Sequence, residues 1–159
     1  MTTDSEIIRV SETGRGKYQV EAKAGDATLV IDEPVSTGGL GAGPNPYNLL
    51  AAALGACTTM TIRLYADRKK WPLKHVEIAV RHSRAGLEAR DRFDLDIELQ
   101  GDLDDSQRAR LMEIAERCPV HLTFARGSEV KASLAPPAPM PAPQGSSGHV
   151  ACMVEACAD

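Results

Sequence analysis

The stretch that decides the fold runs from Asn45 to Trp71, NPYNLLAAALGACTTMTIRLYADRKKW. Gly43 and Pro44 break whatever precedes it. Asn45 is a suitable N-cap, and Pro46 suits the first helical position, where a missing N–H costs nothing. From Leu49 to Ile62 no residue is charged. Small and apolar side chains fall on every face, which predicts a helix buried all round. This uncharged run is shorter than the ~20 residues of a membrane span. Asp67, Arg68, Lys69 and Lys70 return the helix to water, and Trp71-Pro72 ends it. In its middle sits Cys57, flanked by Gly55, Ala56, Thr58 and Thr59. A thiol among small side chains has space beside it. That space is filled by a close-packed helix or is open to a ligand.

Composition narrows the function. A chain of 159 residues suggests one domain with a real core. Aromatics make up only 4%, too few for base-stacking nucleic-acid modules. The net charge is −4 and the pI about 5.6, so neither nucleic acid nor an anionic membrane is an expected partner. The start, MTTDSEIIRV, has no basic-then-apolar leader pattern, and a cytoplasmic location is expected. There, cysteines are reduced or catalytic rather than structural disulfides. The four, at 57, 118, 152 and 157, contain no CxxC, so neither a metal nor a cofactor is expected.

Working outward, Tyr18, Val20 and Ala22 alternate with polar residues as in a half-buried strand. Thr28 to Ile31 is another strand, and Glu6 to Val10 a first apolar stretch, together an antiparallel meander. The glycine-rich Ser36 to Gly43 reads as a flexible link; a phosphate loop would need a following GK[ST], which is absent. After the central helix, Val76, Ile78 and Val80 form one alternating strand, and Phe93, Leu95, Ile97 and Leu99 another. The charged loop Ser83 to Asp91 joins them. Asp104 or Asp105 caps a second helix. Leu111, Ile114, Ala115 and Cys118 follow helical spacing, which puts Cys118 on its apolar face, with Pro119 as the stop. Ser128 to Leu134 reads as a last strand. His121 is expected to be satisfied or solvent-facing, and His75 and His82 to carry no constellation. The fold class is therefore α+β with antiparallel sheet, in a domain spanning residues 1–134. Residues 135–159 hold half of the ten prolines and read as a disordered tail. Its His149, Cys152 and Cys157 are weak metal-ligand candidates. A single small sheet covers only one side of an all-apolar helix, so a second subunit is the economical cover.

Two cysteines on inward helix faces admit two readings. One is a redox pair in which Cys57 attacks and Cys118 resolves the sulfenic acid as a disulfide. The other is two buried thiols behaving as small hydrophobes. Cys57 is roughly three turns into its helix, beyond the reach of the N-terminal dipole, so a reactive Cys57 needs a cation from elsewhere.

The run GPNPYNLLAAALGACTTMTIRLYADRKKWPL, with ERCPVH later, resembles the OsmC/Ohr family of peroxide-reducing proteins. The resemblance spans roughly residues 5–134. It implies an OsmC-like fold, with antiparallel sheets wrapped around two central helices in an intertwined homodimer. It implies Cys57 as the peroxidatic cysteine and Cys118 as the resolving one. Arg15, in Gly14-Arg15-Gly16, is the implied catalytic arginine. Where the family's best-known members carry glutamate after NP, this chain has Tyr47, followed by Asn48; these two are the implied substrate-binding residues. The implied activity is reduction of organic hydroperoxides, with electrons from a dithiol of the lipoyl type. The alternative is a non-catalytic protein that binds an apolar ligand or senses redox state.

Overall fold

The computed structural model describes residues 7–134 and 148–157. The chain divides into two compact units. Of the described residues, one takes in 7–46, 128–134 and Gly148, the other 47–127 and 149–157.

In the first unit, β1 (Arg9–Glu12), β2 (Val20–Ala24) and β3 (Ala27–Ile31) form an antiparallel sheet in that order. The β2–β3 hairpin closes on Gly25-Asp26, with Gly25 at φ 55°, a left-handed first turn position that glycine adopts without strain. The expected meander is present. The glycine-rich segment after it is ordered, unlike the flexible link expected. Asp32, only 1% exposed, organises it. Its carboxylate accepts N–H groups from Glu33 at 2.8 Å, Leu40 at 3.1 Å and Ala42 at 3.3 Å. Burial pushes that carboxyl up, but these bonds and one from Gln19 outweigh it and hold the group below its usual value. Residues 128–134 form no strand, so that expectation fails.

The second unit is built on α1 (Pro46–Arg68), which begins at the proline suited to the first position. It ends in a Schellman turn. Lys70 takes the left-handed conformation at φ 55°, Trp71 N–H reaches Ala66 O at 2.9 Å, and Lys70 N–H reaches Asp67 O at 3.1 Å. By length and composition α1 would suffice to cross a membrane, since the helix outruns its uncharged stretch. Here, however, Ile62, Tyr65 and Ala66 sit in the core. Burial is not all round, as expected, but one-sided. Leu54, Cys57, Thr58, Thr61, Ile62 and Tyr65 face inward, while Leu50 is 41% and Met60 50% exposed.

The strands β4 (Leu73–Ser83) and β5 (Arg92–Gly101) pair antiparallel, as their period of two predicts. Gly55 lets α1 approach β4: a Cβ there would lie 3.2 Å from a Val80 methyl. The helix α2 (Asp105–Ala115) starts with a capping box, in which Asp104 accepts from Gln107 N–H and the Gln107 side chain from Asp104 N–H. Leu103, Leu111, Ile114 and Ala115 join Ile62, Tyr65, Leu73 and Val76 in one cluster.

Two expectations about helix ends are corrected. The helix α2 stops at Ala115, so Cys118 is not on its apolar face. Pro119 starts a further helix, α3 (Pro119–Arg126), instead of ending one. The chain also forms α4 (Gly148–Ala156), where the composition predicted a disordered tail. Met153 and Cys157 are buried, with Cys157 in the core cluster, and Arg68 donates to the Cys157 carbonyl. Residues 135–147, also assigned to that tail, lie outside the described residues.

Candidate active site

Cys57 and Cys118 come together in the second unit. Cys57 is 2% exposed and Cys118 fully buried. Cys57 is carried by the inward stripe of α1. Cys118 is the N-cap of α3, with Pro119 at the first helical position and Leu122 N–H on the Cys118 carbonyl at 3.0 Å. An N-cap position sets a sulfur before the free N–H groups of a helix start, which favour its anion.

The two thiols share a hydrogen bond, and its effects on them are opposite. Cys118 is lowered to about 5 from an ordinary 9.0. The hydrogen bond from Cys57 is the main cause; the N–H groups of His121 and Val120 and the Thr58 hydroxyl add to it and overcome burial. Cys57 is raised, first because its proton is held by Cys118, then by burial. The helix start of α3 therefore favours the anion on Cys118, and burial disfavours it on Cys57. The Thr58 hydroxyl fits this arrangement. It is fully buried, has no partner within bonding geometry, and contributes to lowering the Cys118 thiol. Thr61 Oγ1 is committed to the Cys57 carbonyl at 2.8 Å.

A third group reaches the pair. His149 Nε2 lies 3.3 Å from Cys57 Sγ. The sequence suggested His149 only as a metal ligand with Cys152 and Cys157. Instead Cys152 is exposed, and the buried Cys157 thiol reaches Thr61 O at 3.6 Å. Among the described residues, no group of three or more His, Cys, Asp or Glu is placed to hold a metal.

The remaining candidates lie elsewhere. Arg15 belongs to the first unit, exposed in the β1–β2 turn, where its backbone N–H donates to Thr13 Oγ1 at 3.2 Å. The Tyr47 hydroxyl accepts from Arg84 Nη1 at 3.1 Å, and its ring stacks on His82 at 4.3 Å. His82 in turn meets Asp91 at 2.7 Å and the Phe93 ring at 4.9 Å, and Phe93 stacks on Phe124. Sequence reading missed this four-ring ladder and expected His82 to be isolated. The signal was the register of the two alternating strands, which sets His82 opposite Phe93. A cavity of about 220 Å³ is lined by Leu54, Phe93, Leu95, His121 and Phe124. A second, of about 350 Å³, is lined by Tyr47, Leu50, Arg90, Phe93 and Phe124. Asn48 lines an open groove with Ala52, Gly55, Ala56, Ile78 and Val80.

Comparison with known proteins follows this architecture. The family model OsmC, described as OsmC-like protein, matches residues 38–133. An osmotic stress induced and detoxification response protein from Psychrobacter arcticus is similar in structure, with a TM-score of 0.65 and 24% identity, over 77% of this chain and 88% of that one. An organic hydroperoxide resistance protein OsmC from Legionella pneumophila matches with a TM-score of 0.59 and 26% identity, over 76% and 88%. The organic hydroperoxide resistance protein OhrB of Bacillus subtilis matches with a TM-score of 0.53 and 20% identity, over 75% and 90%. No curated protein matches the chain significantly.

Proposed function

This chain belongs to the OsmC-like protein family, and from that premise we propose that it is a cysteine-based peroxidase that reduces organic hydroperoxides. The observation that carries this reading is the buried hydrogen bond between Cys57 and Cys118. Two thiols that share one proton are poised both to attack a peroxide and to close a disulfide. The Cys57 thiolate attacks one peroxide oxygen, the O–O bond breaks, and the alkoxide leaves with a proton as an alcohol. Cys57 becomes a sulfenic acid. Cys118 then attacks that sulfur, forming the Cys57–Cys118 disulfide and releasing water. An external dithiol of the lipoyl type restores both thiols by exchange and is itself oxidised to a disulfide. No cofactor is required.

The cavities along Phe93, Leu54 and Phe124, which Arg90 and Asp91 also line, offer apolar surface to an alkyl group. Burying it contributes ~25 cal/mol per Å², which favours alkyl peroxides over hydrogen peroxide. Tyr47 and Asn48 are assigned to the substrate path. Tyr47 is engaged by Arg84, and we assign Arg15 a supporting role toward the thiolate. Four free thiols suit a reducing compartment, so the proposed location is the cytoplasm.

The test is peptide mapping after one equivalent of cumene hydroperoxide. A Cys57–Cys118 linkage is expected. Cys118→Ser should instead halt at sulfenic acid and over-oxidise with excess peroxide. Oxidised wild type without that linkage would overturn the reading.

We propose further that the protein is a homodimer. The exposed Leu50, Ala52, Ala53, Ala56 and Met60 leave an apolar, small-residue face of α1 open to a second copy. Sedimentation at micromolar concentration should give twice the chain mass of 17.0 kDa. A stable monomer would refute the assignment.

A further inference from the structure

The start of α3 favours an anion on Cys118, which is the wrong sulfur for the proposed chemistry. Cys118 has the helix N-terminus, the Val120 and His121 N–H groups and the Thr58 hydroxyl. Cys57, which must attack, is three turns into α1 and has only the Val120 N–H and the Thr61 hydroxyl to favour its anion. Something must draw the charge across the shared hydrogen bond. One titratable group from another element, His149, faces Cys57. His149 comes from α4, outside the stretch matched by the family model. Its Nε2 is 3.3 Å from Cys57 Sγ, hydrogen-bonding range for sulfur. The docking of α4 holds it there, through buried Met153 and Cys157 and the Arg68 bond to the Cys157 carbonyl.

We infer that His149, delivered by the C-terminal helix, is a catalytic residue that selects Cys57 over Cys118 as the nucleophile, by donating from Nε2 to the Cys57 thiolate. The proton balance is internal. The Cys57 proton passes to Cys118 along their hydrogen bond, the charge moves to Cys57, and the His149 Nε2–H donates to it there. A ring N–H donated to a thiolate raises the thiolate fraction of that sulfur while leaving a good nucleophile. This inference rests on the peroxidase reading for its purpose but not for its test.

The test is limiting alkylation with iodoacetamide near neutral pH, read by mass spectrometry as the ratio of label on Cys57 to label on Cys118. Wild type should favour Cys57. His149→Ala should lower the ratio on the order of tenfold, one pKa unit of lost thiolate stabilisation. Added imidazole should restore part of it, a rescue that a merely structural role would not show. His149→Gln keeps an N–H donor on a differently placed side chain and should fall between the two. It also serves if the alanine variant melts early. An unchanged ratio in both variants overturns the inference, as does a wild type that already favours Cys118. A His149-dependent preference for Cys57, in a protein that consumes no hydroperoxide, would sustain the inference and overturn the peroxidase reading instead.

Discussion

Replacing Cys57 by serine is expected to reduce hydroperoxide consumption to background, a loss on the order of 10³-fold or more, as when a covalent nucleophile is removed. A serine hydroxyl has neither the low pKa nor the polarisable sulfur that displaces alkoxide from oxygen. The pH profile carries a second, independent signature. An ordinary thiol with pKa 9.0 gains thiolate about tenfold for each pH unit below that value. Here the first proton of the pair leaves at about 5, because the hydrogen bond from Cys57 and the N-terminus of α3 stabilise the anion on Cys118. The sign follows: above this value the pair is already singly charged, and below it the charge is lost. Wild-type rates should therefore be nearly flat from about pH 6 to 8 and fall as the pH drops through about 5. Initial rates with cumene hydroperoxide and saturating dithiol measure both effects. A serine variant as fast as wild type would return the protein to the ligand-binding class. A rate that climbs tenfold per unit up to about pH 9 would show that the pair does not share its proton.

The largest stability effect is expected at Leu111. This side chain of α2 is fully buried against the cluster that includes Ile62, Tyr65, Leu103 and Ile114. Leu111→Ala removes its share of apolar burial and leaves a cavity that a close-packed core fills only in part, a cost of about 2–5 kcal/mol. At roughly 2–4 °C per kcal/mol for a chain of this size, Tm should fall by about 4–20 °C. Its neighbour Met112, 45% exposed, is the control. Met112→Ala should move the transition by no more than about 0.5 kcal/mol. Thermal unfolding followed by circular dichroism separates the two. A shift of less than about 2 °C for Leu111→Ala would contradict its place in the core.

Much of this fold follows from local rules. Proline at the first turn of α1, period-two alternation in β4 and β5 and the acidic cap of α2 are short-range signals. Each reached its expected element. The two candidate thiols were also legible, because GAC and CPV carry the resemblance to the OsmC/Ohr family. Less legible was Cys118, since proline lacks the N–H that a helix needs. The same residue ends one helix and opens the next, and helical spacing ran on across that boundary. The connector at Asp32 shows a related limit. Glycines read as slack until a buried carboxylate gathers their neighbours' N–H groups.

What the sequence determined by itself is most of the strands and the two main helices, because these depend on neighbours a few positions apart. Only the tertiary structure decided how α1 divides between core and open face, how His82 joins the aromatic ladder, and which sulfur holds the charge. It also decided the fate of the C-terminus. A nine-residue helix after a proline-rich stretch is not stable alone. The helix α4 forms because Met153 and Cys157 find a core to enter, and that docking sets His149 beside Cys57. Such contacts join residues far apart in the chain. Their free energy comes from apolar surface and partial charges that meet only in the folded molecule, and no local pattern encodes that meeting.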